Sequence, residues 1–233
     1  MSVIVKNDSI QIEKMSLGPF GTNTYLLICQ KTGDSVVVDA PGEADKVLAR
    51  LEGTHPKYIL MTHNHMDHFE ALAELKSALN IPLAAHADDA GSLPVKPEQF
   101  LNDGDTISFG DIQLKVLHTP GHTPGSACYH LGDNLIAGDT LFVFGCGRCD
   151  LAGGDPETMF NTLKRIKSEL PGNTILHPGH NYSTAHPTST KDNQFEGNTF
   201  QHFDRPQDFI DYTMQVHNRI PHTPYDPVTT SDA

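Results

Sequence analysis

Short apolar runs of β-type composition alternate along the chain with stretches whose apolar residues recur at helical spacing. "NTYLLIC" (23–29) and "SVVVDA" (35–40) predict two strands, joined by the turn-forming "QKTGD". In "EADKVLARLE" (43–52), Val47, Leu48 and Leu51 share one face, which predicts a helix. "YILMT" (58–62) predicts a buried strand, and "EALAELKSALN" (70–80) a helix with Leu72, Leu75 and Leu79 as its stripe. "IPLAA" (81–85) predicts a further strand. "DTISFGDIQLKVLHT" (105–119) and "SACYHLGDNLIAGDT" (126–140) predict hairpins turning at Gly110-Asp111 and Gly132-Asp133. "DPETMFNTLKRIKSEL" (155–170) predicts a helix with Pro156 in its first turn, where the missing N–H is tolerated. "NTILHPGHNY" (173–182) predicts a last strand and loop.

Beyond His180 the pattern weakens. "STAHPTSTKDNQFEGN" (183–198) reads as polar loop, and "PQDFIDYTMQVHNRI" (206–220) as a closing helix with Phe209, Tyr212 and Val216 on one side. The remaining "PHTPYDPVTTSDA" reads as irregular. Hairpins mixed with βα units predict helices packed on sheets in an α/β or α+β layering.

The chain's 233 residues can bury a core without disulfide staples. Sixteen Lys and Arg against 29 Asp and Glu give a net charge of −13, which argues against nucleic acid as a partner, since phosphate-backbone binding needs clustered cations. Four irregularly placed cysteines do not form a disulfide framework, so a reducing compartment is expected. The N-terminal "MSVIVKNDSI" lacks the signature of a secretory signal, and no window approaches the ~18–20 apolar residues of a membrane span. The expected address is the cytoplasm.

"LMTHNHMDHFEA" (60–71) changes the picture. It puts His63, His65, Asp67 and His68 into six positions just after an apolar run. Neutral imidazole and carboxylate are ligands for zinc, iron or manganese. His63 and His65 can point one way and Asp67 and His68 at a neighbouring spot, so one loop could feed two metal positions. The alternative is a histidine-rich surface loop in a chain with 14 histidines. Further donors follow β-type runs: His122 in "HTPGHTPGS" (118–126), Asp139 in "IAGDTLF" (136–142) and His180 in "HPGHNY" (177–182). Strand-end loops are where sites collect.

The order H-x-H-x-D-H, then the "PGHTPGS" histidine, the "GDTLF" aspartate and the "PGHNY" histidine, resembles the metallo-β-lactamase superfamily over about residues 10–185. The resemblance implies an αββα sandwich of two mixed sheets flanked by helices, with a metal site at one edge. It implies that His63, His65 and His122 hold a first metal, that Asp67, His68 and His180 hold a second, and that Asp139 bridges. Asp139 stands where some true β-lactamases place a cysteine, and His65 where flavodiiron oxygen reductases have a glutamate. The glyoxalase II group, the hydroxyacylglutathione hydrolases, is the most similar, through "THNHMDH", "GDTLFVFGCGR" and "PGHNY". The implied cofactors are two divalent ions, zinc first, with iron or manganese as alternatives. Two metals about 3.5–4 Å apart can share a bridging water and lower its pKa, so that hydroxide attacks a thioester carbonyl. Asp67 and Asp139 are the candidate catalytic residues, Asp67 as ligand and orienter of the water. Ser126 reads as a turn residue rather than a nucleophile.

"GCGRCDLAGGD" (145–155) departs from the glyoxalase II pattern, which carries a Lys and then a Tyr after Gly-Cys-Gly. Arg148 stands here either as a clamp for a substrate carboxylate or paired with Asp150 or Asp155. Tyr182 either faces the substrate or packs. The tail beyond His180 is shorter than the family's glutathione-binding helical domain, so coenzyme A or a pantetheine arm are alternative thiol carriers. Cys146-x-x-Cys149 reads as two packed thiols rather than a redox pair or a zinc site. The same "GCGR" stretch also resembles persulfide dioxygenases, which bind one iron through positions matching His63, His122 and Asp139. A third class is a non-catalytic metal-binding module.

The expected organisation is a catalytic domain over 1–185 and an extension over 186–233 with a short helix, packed on the same domain. Phe195, Phe200 and Phe203 are candidates for a cap over the site or for a subunit contact in a homodimer. The expected partner is a small-molecule thioester, with no membrane involved.

Overall fold

A computed structural model describes residues 2–183, 185–216 and 225–228. The chain divides into two compact units, Met1–His118 and Thr119–Ala233.

In the first unit seven strands form one sheet in sequence order: β1 (Ser2–Lys6), β2 (Ile10–Leu17), β3 (Thr22–Cys29), β4 (Asp34–Val38), β5 (His55–Leu60), β6 (Leu83–His86) and β7 (Gln99–Leu101). The first four are antiparallel; from β4 onward each neighbour is parallel, so the sheet is mixed. Tight turns suffice for the antiparallel part, whereas the parallel strands need crossovers, which carry α1 (Ala44–Leu51), α2 (Met66–Phe69), α3 (Leu72–Leu79) and α4 (Ala87–Ala90). Every residue of β3 is buried. Val47 and Leu51 of α1 and Leu72 and Leu75 of α3 pack into a cluster with Leu26, Val37, Ile59 and Leu83. Each such side chain stabilises the fold by about 1.5–3 kcal/mol relative to exposure. The hairpin of β8 (Thr106–Phe109) and β9 (Ile112–His118) turns at Gly110, whose φ of 55° suits a residue without Cβ.

The second unit carries β10 (Ala127–Leu131), β11 (Asn134–Gly138), β12 (Leu141–Phe142), β13 (Gly145–Cys146), α5 (Pro156–Glu169), β14 (Ile175–Pro178), β15 (Ser189–Thr190), α6 (Lys191–Gly197) and α7 (Pro206–Asp211). Its strands of the second mixed sheet run β15-β14-β11-β10, with β11 and β14 parallel and the others antiparallel. Asp155 caps α5 by accepting the Thr158 N–H at 2.7 Å, and Pro156 occupies the first turn. Met159, Phe160, Leu163 and Ile166 form the buried face of α5.

Two expectations for the tail need correction. The stretch 183–198 is not all loop: it holds β15 and α6. Its pattern is hidden because α6 buries polar rather than apolar groups. Gln194 accepts the Phe144 N–H at 3.0 Å, and Asn198 donates to the Gly145 carbonyl at 3.1 Å. The closing helix predicted over 206–220 ends at Asp211 and continues as a π-helical turn, Tyr212–Val216; residues 217–220 lie outside the described ones. Phe209 is fully buried and meets Phe160 edge-on at 5.8 Å, with Phe200 and Phe203 against it.

Candidate metal centre

The first unit places His63, His65, Asp67 and His68 together where β5 ends. β5 runs parallel between two buried neighbours, and Thr62, two residues beyond its end, opens the loop that α2 closes. The organiser is Asp39, at the end of β4 and 2% exposed. Its carboxylate accepts the Thr62 N–H, the Thr62 hydroxyl and His68 Nδ1, each at 2.8 Å. Asp39 is held in the left-handed region at φ 60°, unusual for a residue with a Cβ. The Thr62 hydroxyl has one proton and gives it to Asp39, so His63 Nδ1 is the donor in the 3.0 Å bond between them. One carboxylate therefore fixes the tautomer of two rings, and both keep Nε2 as the lone-pair nitrogen. The His63 ring centroid lies 4.1 Å from that of His68 and 4.8 Å from that of His65. Asp67 Oδ2 accepts the Thr22 hydroxyl at 2.9 Å and lies 3.6 Å from His68 Nε2. His63 and His68 are buried, while His65 and Asp67 are half-exposed.

The second unit brings His122, Asp139 and His180 together from three loops. His122 sits in the loop from Thr119 to Ser126, closed by the Thr119 N–H on the Ser126 carbonyl at 2.8 Å. Ser126 is a turn residue here, its hydroxyl 2.7 Å from that of Thr123. The loop is pinned to the start of α5, where Gly121 packs so tightly that a Cβ would come within 2.5 Å of the Met159 backbone. Asp139 follows β11 and His180 follows β14, and the two parallel strands stay linked at their ends by the Gly179 N–H on the Gly138 carbonyl at 2.8 Å. One oxygen of Asp139, Oδ2, lies 3.7 Å from His122 Nε2 and 3.4 Å from His180 Nε2. His122 Nδ1 donates to the Arg148 carbonyl at 2.8 Å, which again turns Nε2 toward the carboxylate. Gly147 allows this: a Cβ there would meet the Asp139 carbonyl and the His122 ring.

Around this trio, Tyr182 stacks on His180, with centroids 5.0 Å apart and planes 15° from parallel. It also meets Phe142 edge-on at 4.9 Å and is 44% exposed. Arg148 forks onto both oxygens of Asp150 at 2.7 Å, and this bond raises its pKa. Cys146 and Cys149 are free and buried. Burial pushes both thiols up, Cys149 to about 12. Tyr225 from the tail donates its hydroxyl to the Cys146 carbonyl at 3.5 Å and stacks on Phe142.

Asp39 and Tyr225 are the residues that sequence reasoning missed. Asp39 was legible only as the polar end of a valine run, and Tyr225 lies in a stretch with no periodicity.

Two mixed sheets with helices, and His and Asp donors on strand-end loops, are the features of a metal-binding α/β fold. Residues 17–180 match the metallo-beta-lactamase superfamily, and the chain belongs to it. Among relatives, the probable metallo-hydrolase YqgX of Bacillus subtilis is 33% identical over 203 residues, 78% of this chain and 95% of that protein. The hydroxyacylglutathione hydrolase of Anaeromyxobacter dehalogenans is 36% identical over 166 residues, 70% of this chain and 64% of that protein. The crystal structure of ETHE1 from Myxococcus xanthus superposes with a TM-score of 0.80 at 26% identity, covering 88% of this chain and 90% of the other. The fold class expected from the sequence, α/β with α+β character and of the metallo-β-lactamase kind, is the one observed. Among the described residues, no helix is long and apolar enough to cross a membrane.

Proposed function

We propose that the protein is a metal-dependent hydrolase that cleaves a small-molecule thioester, with two divalent ions, zinc foremost, as cofactors. In this reading His63, His65 and His122 would hold one ion and Asp67, His68 and His180 the other, and Asp139 would serve both. The observation that carries it is the Nδ1 bonding. His68 gives this proton to Asp39, and His122 gives it to the Arg148 carbonyl. An oxygen acceptor on Nδ1 is the outer-shell arrangement that orients ligating imidazoles and raises their basicity. Imidazole nitrogens around carboxylates suit zinc, iron or manganese, so the residues fit the group.

When bound, the ions supply Lewis acidity and bring the pKa of a coordinated water close to neutral. The chain's own residues do the rest. Asp67, steadied by the Thr22 hydroxyl, orients the water that adds to the thioester carbonyl. The carbon–sulfur bond then breaks, giving a carboxylate and a thiol, and a thiolate leaves readily without a strong general acid. Ser126 takes no part, because its hydroxyl is committed within its own loop. Tyr182, exposed and stacked on His180, lines the place where the acyl or thiol portion lies.

The thiol carrier follows from what the chain offers. Arg205, one of the few strong cations beyond His180, is occupied by Asp208. A carrier such as coenzyme A or a pantetheine arm is therefore proposed beside glutathione. The address proposed is the cytoplasm, without nucleic-acid or membrane partners.

A second reading, oxygenation of a persulfide at one iron held by His63, His122 and Asp139, is favoured by the Arg148–Asp150 fork in the stretch that resembles persulfide dioxygenases. Two assays on the same purified protein separate them. Hydrolysis of lactoylglutathione or an acyl-coenzyme A, with two metal equivalents per chain, is expected. Oxygen uptake on glutathione persulfide with one iron, and no thioester cleavage, would replace the first reading by the second.

A further inference from the structure

His86, Asp88 and His118 take no part in the ligand set proposed above, and all three belong to the first unit. His86 ends β6 and caps α4, its Nδ1 accepting the Asp88 N–H at 3.3 Å. His118 ends β9, where Asp103 Oδ1 accepts its backbone N–H at 2.8 Å. The two imidazoles lie face to face, with centroids 3.8 Å apart and planes 7° from parallel. The Asp88 carboxylate comes within 3.6 Å of His86 Nδ1 and is 57% exposed. One donor atom from each of the three residues lies within 4.8 Å of the other two.

We propose that His86, Asp88 and His118 form a separate, weaker cation site for one borderline transition-metal ion, such as zinc, nickel or copper(II). Two imidazoles and a carboxylate are the donor chemistry such ions select over magnesium or calcium. Metal–ligand bonds of about 2.0–2.2 Å put donors on a tetrahedral ion roughly 3.3–3.5 Å apart, so donors already within 4.8 Å of one another need only the short approach that side-chain rotation supplies. The required rotation is specific. An imidazole lone pair lies in its ring plane, so two parallel rings cannot aim at one ion, and binding opens the stack. The backbone at both histidines is already fixed by β6, by β9 and by Asp103, so little chain ordering remains to be done. Three protein donors leave a position to water, and the exposed Asp88 leaves a path in. Both features make this ion exchangeable.

The test uses the full chain carrying its tightly held metal, desalted and titrated with copper(II). Electron paramagnetic resonance reads the added ion and elemental analysis the resident one. Wild type is expected to take up one added equivalent with nitrogen hyperfine splitting. His118→Ala and Asp88→Asn are expected to take up none at the same concentrations while keeping their resident metal. His86 is nine-tenths buried, so His86→Gln serves as the third variant, with circular dichroism to verify its fold. Uptake by the variants equal to wild type, or no added equivalent in wild type, overturns the site. Neither result touches the thioesterase reading, which rests on the resident metal.

Discussion

The Asp39 carboxylate and the His68 ring are joined at 2.8 Å in a place closed to solvent, with His68 fully buried and Asp39 2% exposed. Through Thr62 the same carboxylate also sets His63. A residue that carries no ligand role thus decides which nitrogen two candidate ligands present. Asp39→Asn preserves shape and tolerates the left-handed backbone, but replaces one acceptor oxygen by a donor. Metal affinity, measured by chelator competition, is expected to fall about 10–100-fold. Unchanged affinity would remove Asp39 from the account.

Gly147 lies against both the Asp139 carbonyl and the His122 ring. Gly147→Ala is expected to force these apart, with a loss of about 1–3 kcal/mol in denaturant stability. Metal content should drop with it. A variant as stable as wild type would mean that the turn has room to spare.

Phe209, fully buried against Phe160, ties the tail to α5. Phe209→Ala is expected to cost about 3–5 kcal/mol, read from the denaturation midpoint. A loss below 1 kcal/mol would show that the tail segment packs independently of the core of its unit.

All four cysteines are free and buried, with Cys128 raised to about 11 and Cys149 to about 12 by burial. A thiol reagent at pH 8 is expected to label none of Cys128, Cys146 and Cys149 in the native protein and all three after unfolding. The linkage has a definite sign. An acid whose folded pKa is raised stays neutral in the fold while its unfolded form ionises, so stability declines as pH rises above about 9 and through the folded values. Rapid native labelling of Cys146 or Cys149 would revive a reactive role for the pair.

Elements whose apolar residues keep one period were legible in the sequence. The helices near 44–51, 72–79 and 156–169 and the hairpins at Gly110 and Gly132 fall where the pattern put them, because burial of one face decided both pattern and structure. The helix Lys191–Gly197 was not legible, since Gln194 and Asn198 bury amides against backbone groups of distant residues, a pairing no local window contains. The metal donors were legible as motifs. Their tautomers were not, because Asp39 stands 29 residues from His68 and Arg148 26 residues from His122.

The proposed function requires that His63, His65, Asp67 and His68 of one segment serve with His122, Asp139 and His180 of three other loops as one set of metal ligands for hydrolysis. The most direct measurement is the metal content and thioesterase rate of the desalted wild type beside His63→Ala, His122→Ala, Asp139→Ala and His180→Ala. Two tightly held equivalents are expected in wild type, with a loss of at least one in each variant and activity that disappears on chelation and returns with zinc. Full thioesterase activity in metal-free protein, or undiminished metal in the variants, would contradict it.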